Sequence, residues 1–456
     1  MDEARARRPY LALRHREFRK LWIAQLVSLT GSQMQVVAIN WHVYLLTRSP
    51  LALGFVGLTR VLPIIVFSLW GGIVADRRDR RWVMFNTQLA MTAVAAGLAV
   101  LTFTGSDAIW WIYALNALAA AAVAFDGPAR QALVPRLVPP EDLPGALSLN
   151  LTVFHGAMIG GPALAGLLIA GTGALLAPGT TIGGRLAHAG SSELSRHTAG
   201  LGWIYLINAL SFVAVLASLL SMHPATGRLS PERSGPDHPL LALKEGLQFV
   251  FRTPLMVWSM ALDFFATFFS GSMSLLPIFA DQILMVGPAG YGLLAAAPAL
   301  GALAGSLYTS IWPLPRKQGR VFLWSVAAYG LATIVYGVSR SYALTFLALA
   351  GTGLADLVST VIRQTLRQLI TRDELRGRMT SINMIFFMGG PQLGELEAGL
   401  VASIFSTAAL GAAVSVVSGG IATLAVVAFV AAATPVVRGY DLTRHLPEHN
   451  RQASAG

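Results

Sequence analysis

Apolar stretches of roughly 18 or more residues recur from one end of this chain to the other, each long enough to cross a hydrocarbon core of about 30 Å. Of its 456 residues only 12% are charged and 54% are hydrophobic. A soluble domain carries about 25% charged residues, so most of this surface must face something other than water. Twelve spans are expected, at 18–46, 51–74, 83–104, 109–133, 146–168, 201–222, 255–283, 290–312, 321–338, 342–366, 379–405 and 408–433. The fold class this implies is an all-α membrane protein with twelve transmembrane helices. The first twenty residues are charged and carry no cleavage signature, so the first span is expected to act as an uncleaved anchor.

The net charge of +11 invites a nucleic-acid reading, but its distribution argues against one. With the spans alternating across a membrane, 28 of the 33 lysines and arginines fall on one side. The opposite side holds Arg48, Arg185, Arg196 and Arg340, and Arg60 lies within the second span. Cationic loops stay in the cytoplasm, which places both termini there. The basic excess is a topology signal that also suits anionic lipid headgroups. The chain has no cysteine, which excludes disulfides and thiolate metal sites.

A long-period repeat divides the chain. RQALVPRLVPPEDLPGAL at 130–147 is echoed by RQTLRQLITRDELRGRM at 363–379, and a Gly-Gly-Pro follows each, at 160–162 and 389–391. The expected organisation is a cytoplasmic tail (1–17), a six-helix half (18–222), a cytoplasmic linker (223–254), a second six-helix half (255–433) and a tail (434–456). Within the linker, HPATGRLSPERSGPDHP is polar and rich in Pro, Ser and Gly. LLALKEGLQFVF after it has helical apolar spacing suited to a membrane surface.

Between the second and third spans stands GIVADRRDRR (72–81), two acids among four arginines. It resembles the signature loop of the major facilitator superfamily, G-x-L-A-D-R-x-G-R-R, with Asp79 where glycine is usual. EFRKLW (17–22), RVLP (60–63), AFDGPARQALVP (124–135) and GPQLGELEAGL (390–400) extend the likeness to the enterobactin-exporter and macrolide-efflux-like group. The resemblance implies two parallel six-helix repeats around a central cavity, a small-molecule substrate, protons as coupling ion, no cofactor and a monomer. It also implies that Asp76, Arg77 and Arg80 latch the cytoplasmic gate; a topology-fixing basic turn is the plainer alternative. In the fifth span, AMIGGPALAG (157–166) resembles the antiporter motif GxxxGPxxGG, with Gly161, Pro162 and Gly166 kept and two glycines replaced by Ala157 and Ala165. Gly390 and Pro391 match it in the second half. Small-residue packing alone would account for the same pattern.

Ionisable residues inside the spans carry the functional question, since each costs about 2.5–3.5 kcal/mol to insert. They are Arg60, Asp126, Asp263, Asp356, Glu395 and Glu397. Asp126 precedes Arg130 by one turn near the cytoplasmic face and reads as a structural pair; Arg363 is the matching arginine of the second half, and all three are assigned to the cytoplasmic gate. The resemblance puts spans 1, 4, 7 and 10 around the cavity. That makes Asp263, about 13 Å into span 7, the first candidate for proton coupling; Asp356, in span 10, is a further candidate, near the depth that Asp126 has in the first half and about two turns from Arg363. Glu395 and Glu397 are about 200° apart on a helix and cannot share a face. Arg60 matches their depth, so an intramembrane pair closing the outer gate is one reading; capping of backbone carbonyls is the other. Gln25, Ser28 and Ser32 share one face of span 1 with Gln33 adjacent, and Phe264, Phe265, Phe268 and Phe269 follow Asp263. These are candidate walls for a lipophilic substrate, or simply helix packing.

No lysine follows a glycine, which removes an ATP-binding P-loop. HLPEH (445–449) matches a zinc-peptidase string, but Pro447 breaks the helix it requires, so no metal site and no enzyme is expected. The segment 173–200, rich in glycine and serine, reads as an irregular outer loop. The sum of these readings is a secondary transporter of a bacterial inner membrane, exporting a lipophilic or siderophore-like molecule. Import, lipid flipping and a non-transporting sensor remain open alternatives on sequence.

Overall fold

A computed structural model describes residues 9–175, 193–222, 248–312, 317–371 and 376–441. Twelve long helices run through it: α1 (Arg16–Thr47), α2 (Pro50–Arg77), α3 (Arg80–Thr104), α4 (Ile109–Leu133), α5 (Leu143–Leu175), α6 (Glu193–Leu220), α7 (Pro254–Phe269), α8 (Gly287–Ile311), α9 (Gln318–Val338), α10 (Tyr342–Ile370), α11 (Arg376–Ser403) and α12 (Ala408–Ala433). Among the described residues, ten helical segments are long and apolar enough to cross a membrane. The helices that fall short of that measure are α1 and α11, which are long but more polar. The polar residues of α1 point inward: Gln25, Ser28, Gln35, Asn40 and His42 are all buried. A helix that keeps its polar side chains off the lipid can be both polar and membrane-embedded.

Contacts group the chain into two units, residues 1–239 with 276–296, and residues 240–275 with 297–456. In the first, α1 packs on α5 and α6, α3 packs on α4 and α6, α5 packs on α6, and α2 lies along α4. In the second, α7 packs on α11 and α12, α9 on α10 and α12, and α11 on α12. Each pairing of the first unit recurs six helices later, the α2–α4 pairing as α8 against α10, where a Cβ on Gly301 would run into the Ala350 carbonyl and one on Gly353 into the Pro298 carbonyl; this is the packing counterpart of the repeat. The Gly-Gly-Pro motifs behave alike in both. A Cβ on Gly160 would meet nothing within 4 Å, whereas one on Gly161 would lie 2.9 Å from the Thr30 carbonyl of α1. A Cβ on Gly389 would make only an ordinary contact with Phe264 of α7, whereas one on Gly390 would crowd Thr267 and the Phe264 carbonyl. Pro162 and Pro391 both sit inside unbroken helices.

One expectation is refined and one corrected. Span 7 keeps its expected extent, Pro254–Ile283, but it is not one helix: α7 stops at Phe269, and Met273–Leu275, Leu276–Ile278 and a wide π-helical turn Phe279–Ile283 follow. The break falls at Ser270-Gly271-Ser272, where α11 crosses so closely that a Cβ on Gly271 would lie 2.8 Å from the Pro391 carbonyl. Turn hydrogen bonds and a 2.8 Å contact between the Ser270 and Thr423 hydroxyls occupy the polar groups there, as a membrane interior demands. The 173–200 segment is not irregular throughout, because α5 extends to Leu175 and α6 begins at Glu193. Small residues there were read as loop formers, but in an apolar setting alanine, serine and glycine are compatible with helix.

Candidate functional site

The glycine position of the signature loop has a local explanation. Asp79 adopts φ −61° and its side chain accepts the Arg81 N–H at 2.9 Å, so it is the N-cap of α3. Aspartate is among the best residues for that task, and no left-handed backbone is required. Arg80 reaches back to the Ala132 carbonyl of α4 at 3.3 Å, and Arg81 to the Leu220 carbonyl of α6 at 3.2 Å. The side chains of Asp76 and Arg77 lie outside the described residues.

Near the same end of the first unit, Asp126 is buried and fully engaged. It accepts from Thr87 at 3.1 Å and from Gln88 at 2.9 Å, and Arg130 stands 3.6 Å away. Such a carboxylate is a structural tie between α3 and α4.

The second unit gathers charge differently. The Arg363 guanidinium pairs with the buried Asp263 of α7 and, at 3.6 Å, with Asp356 of its own helix. Its Nε donates to the Ser359 hydroxyl at 3.2 Å and its Nη2 to Thr360 at 2.9 Å. One guanidinium, with five N–H groups in a fixed fork, thus serves two acids and two hydroxyls. Asp263, Arg363 and Arg367 line a small pocket with Ser259, Asn383 and Phe386. Two residues expected in different roles, Asp263 in coupling and Arg363 at a gate, are direct partners here. The pocket can exchange partners: whatever neutralises either acid frees part of the guanidinium.

The aromatic stripe flanks this cluster. Phe264 stacks on Phe268 with centroids 6.1 Å apart and meets Phe386 of α11 edge-on at 5.9 Å. Gln25 is buried; Gln33 is half-buried against Gly161. Arg60 is half-buried in the first unit, and Glu395 and Glu397 are half-buried in the second.

Two polar constellations were not foreseen. At the end of the first unit opposite the signature loop, Arg48 donates to Asp281 at 2.6 Å. The Tyr44 hydroxyl donates to the same carboxylate and accepts from Arg48 and, at 3.1 Å, from Gln282. The Arg48 guanidinium also lies 4.7 Å from the Tyr44 ring centroid. Nearby, fully buried His42 lies 2.8 Å from Asp107 through Nε2 and 3.1 Å from the Tyr205 hydroxyl through Nδ1. An ionised carboxylate only accepts, so Nε2 donates to Asp107. Burial acts to raise the Asp107 carboxyl, but the hydrogen bond and charge of His42 outweigh it and hold Asp107 below its ordinary value. A histidine and an arginine inside or at the end of the polar first span were the only sequence signals for either group.

Among the described residues no three His, Cys, Asp or Glu side chains could share a metal ion. The HLPEH string lies outside the described residues, as does most of the amphipathic linker segment.

A helical bundle whose pairings recur at an interval of six, with an ionic cluster held inside its spans, is a polytopic membrane transporter. The chain belongs to the transmembrane secretion effector family of the major facilitator superfamily, whose model matches residues 8–184 and 194–447. That is a family of transporters rather than enzymes, and this is a multi-pass protein of the bacterial inner membrane. The enterobactin exporter of Shigella boydii serotype 18 is 27% identical over 370 residues, 81% of this chain and 81% of that protein. The enterobactin exporter of Escherichia coli O81 is 26% identical over the same coverage. Among solved structures, a bacterial homologue of the human lysosomal transporter Spinster, inward-facing and occupied, matches with a TM-score of 0.71 at 14% identity, covering 93% of this chain and 98% of that one. A bacterial homologue of the iron transporter ferroportin, inward-facing, matches at 0.62 with 16% identity, covering 90% and 98%. At those identities the likeness is one of fold.

Proposed function

We propose that this protein exports a siderophore-like or other lipophilic small molecule in exchange for protons, by alternating access. All twelve long helices, α1 and α11 included, cross the membrane, with both termini cytoplasmic, and the monomer is the working unit. The observation that carries the reading is the Asp263–Arg363–Asp356 cluster. Uncompensated charge at that depth costs several kcal/mol, and here two acids compete for one guanidinium beside a pocket. A proton on either acid releases hydrogen-bonding capacity of Arg363 to the other, or to an anionic group of a substrate. The driving force is adequate, since one charge moved through 100 mV supplies about 2.3 kcal/mol. Relatives named as enterobactin exporters support the outward direction and a bulky, oxygen-rich cargo.

The test uses inside-out vesicles from cells expressing the chain, with enterobactin as probe. Energised vesicles should accumulate it, and a protonophore should collapse the accumulation. Asp263→Asn, which keeps the shape and removes the titrating group, should reduce accumulation to background. Full uptake by Asp263→Asn removes this residue from the mechanism; uptake indifferent to protonophore removes proton coupling.

A further inference from the structure

On the outer surface of the second unit, α9, α12 and the short helix Pro435–Arg438 enclose a groove that is open among the described residues. Leu323, Trp324, Ala327, Val427 and Ala431 form its walls, and Arg320 and Arg438 stand at one end. We propose that this groove is a binding site for an anionic glycerophospholipid, with its phosphate held between Arg320 and Arg438 and an acyl chain laid along the apolar walls.

Three features point to that ligand. First, the polarity is graded. The two guanidiniums come from different elements and share one end, and among the described residues no carboxylate lines the groove. From Arg320 to Ala327 the apolar wall continues for about 10 Å along α9, which suits a glycerol backbone and the first methylenes of a chain. Second, Arg320 is the third residue of α9. A cation there opposes the helix dipole and an anion complements it, so the arginine adds nothing to the helix that carries it but would reinforce an anion site. Third, the groove is held in shape. The Gly319 N–H donates to the Tyr440 carbonyl at 3.1 Å, tying the start of α9 to the chain just beyond Arg438. Val437 and Tyr440 are buried beneath it. Trp324 is 75% exposed, where a ring at the level of the headgroups is favoured. Basic pockets between membrane helices recognise anionic headgroups through this combination of charge and depth.

The experiment places the full-length protein in vesicles containing phosphatidylglycerol or phosphatidylcholine with dibrominated acyl chains. Bromine quenches tryptophan on contact, and subtracting the signal of Trp324→Phe isolates Trp324. The expected result is stronger quenching by the brominated anionic lipid than by the neutral one at equal mole fraction. Replacing both cations, Arg320→Gln with Arg438→Gln, should lower that preference about 30-fold, and Arg320→Lys with Arg438→Lys should keep most of it. Equal quenching by the two lipids in the wild type overturns the proposal, as does a preference retained by a glutamine variant of native melting temperature. If the glutamine variant does not fold, the wild-type and lysine arms decide alone. Displacement of the brominated lipid by inorganic phosphate would mean the site takes the free ion. Protection of Trp324 from both lipids with a doubled particle mass would mean a second copy covers the groove. Either result refutes the lipid assignment.

Discussion

Arg48 and Asp281 are 233 positions apart, yet Nη1 of one lies 2.6 Å from Oδ2 of the other. The contact ties the end of α1 to the π-helical turn that follows the broken seventh span. The segment bearing Asp281 comes from the second sequence repeat but packs within the first unit. Arg48 adopts a left-handed backbone, φ 52°, and closes α1 with its N–H on the Tyr44 carbonyl at 2.8 Å. Helix end and ion pair are one device: the turn that stops α1 also aims the guanidinium.

A double-mutant cycle over Arg48→Gln and Asp281→Asn should therefore return a favourable coupling. Arg48's side chain is 55% exposed, so solvent screens the pair and the coupling should be about 0.5–1 kcal/mol, the upper part of the surface range. Thermal unfolding in detergent at low and high salt measures it. Zero coupling at low salt would reduce the contact to a coincidence of packing.

The His42–Asp107 pair predicts an acid limb in the stability curve. The folded-state pKa of Asp107 lies below its ordinary 3.8. A depressed carboxylate contributes stability that is present above the unfolded pKa and is lost as pH falls through the folded one. Stability should hold down to about pH 4 and drop below it. Asp107→Asn should start less stable and show a shallower acid limb, read from melting temperatures between pH 2.5 and 6. An unchanged limb would assign acid sensitivity to other carboxylates.

Arg363 allows the ionic cluster to be tested from its cationic side. Removing one partner of a buried pair leaves uncompensated charge and costs about 3–5 kcal/mol. Arg363→Ala strands two acids, so a loss toward the upper end is expected, relieved when Asp263→Asn is added. Arg363→Lys keeps the charge but loses the fork that serves both acids and two hydroxyls. It should fold nearly as well as wild type and transport poorly. A lysine variant with normal transport would show that charge alone, without bidentate geometry, suffices.

How much of this could be read in the chain depended on the range of the interaction. The limits of α4 and α12 coincide with the expected spans, because the length of an apolar run is a local property. Asp126–Arg130 was legible for the same reason, being one helical turn. The pairing of Asp263 with Arg363 joins separate helices, and periodicity reports only which face a residue occupies, not what faces it. Asp281 was invisible because span 7 was taken as continuous; the Ser-Gly-Ser break depends on α11 crossing there, which no local pattern encodes. Asp79 was read against a family glycine, whereas its own chemistry as an N-cap explains it.

The Gly-Gly-Pro motif of α5 gives the sharpest contrast between two neighbouring positions of one residue type. Gly160 has open space where a Cβ would go; Gly161 is pressed against Thr30 and Gln33 of α1. Gly166, one turn beyond Pro162, faces Gly292 of α8, and a Cβ there would lie 2.6 Å from the Pro288 carbonyl and 2.8 Å from the Gly292 Cα. Alanine in a helix is favoured over glycine by about 0.5–1 kcal/mol, so Gly160→Ala should be neutral to stabilising. At Gly161 and Gly166 the same gain is offset by overpacking of about 1–3 kcal/mol against backbone that cannot rotate away, so both should melt lower. In the second unit Gly389→Ala should resemble Gly160→Ala, and Gly390→Ala should resemble Gly161→Ala. Melting temperatures of these five single variants decide the matter. If all glycines respond alike, the motif is a flexible hinge rather than a pair of close crossings, and the packing account given for α5 and α11 fails.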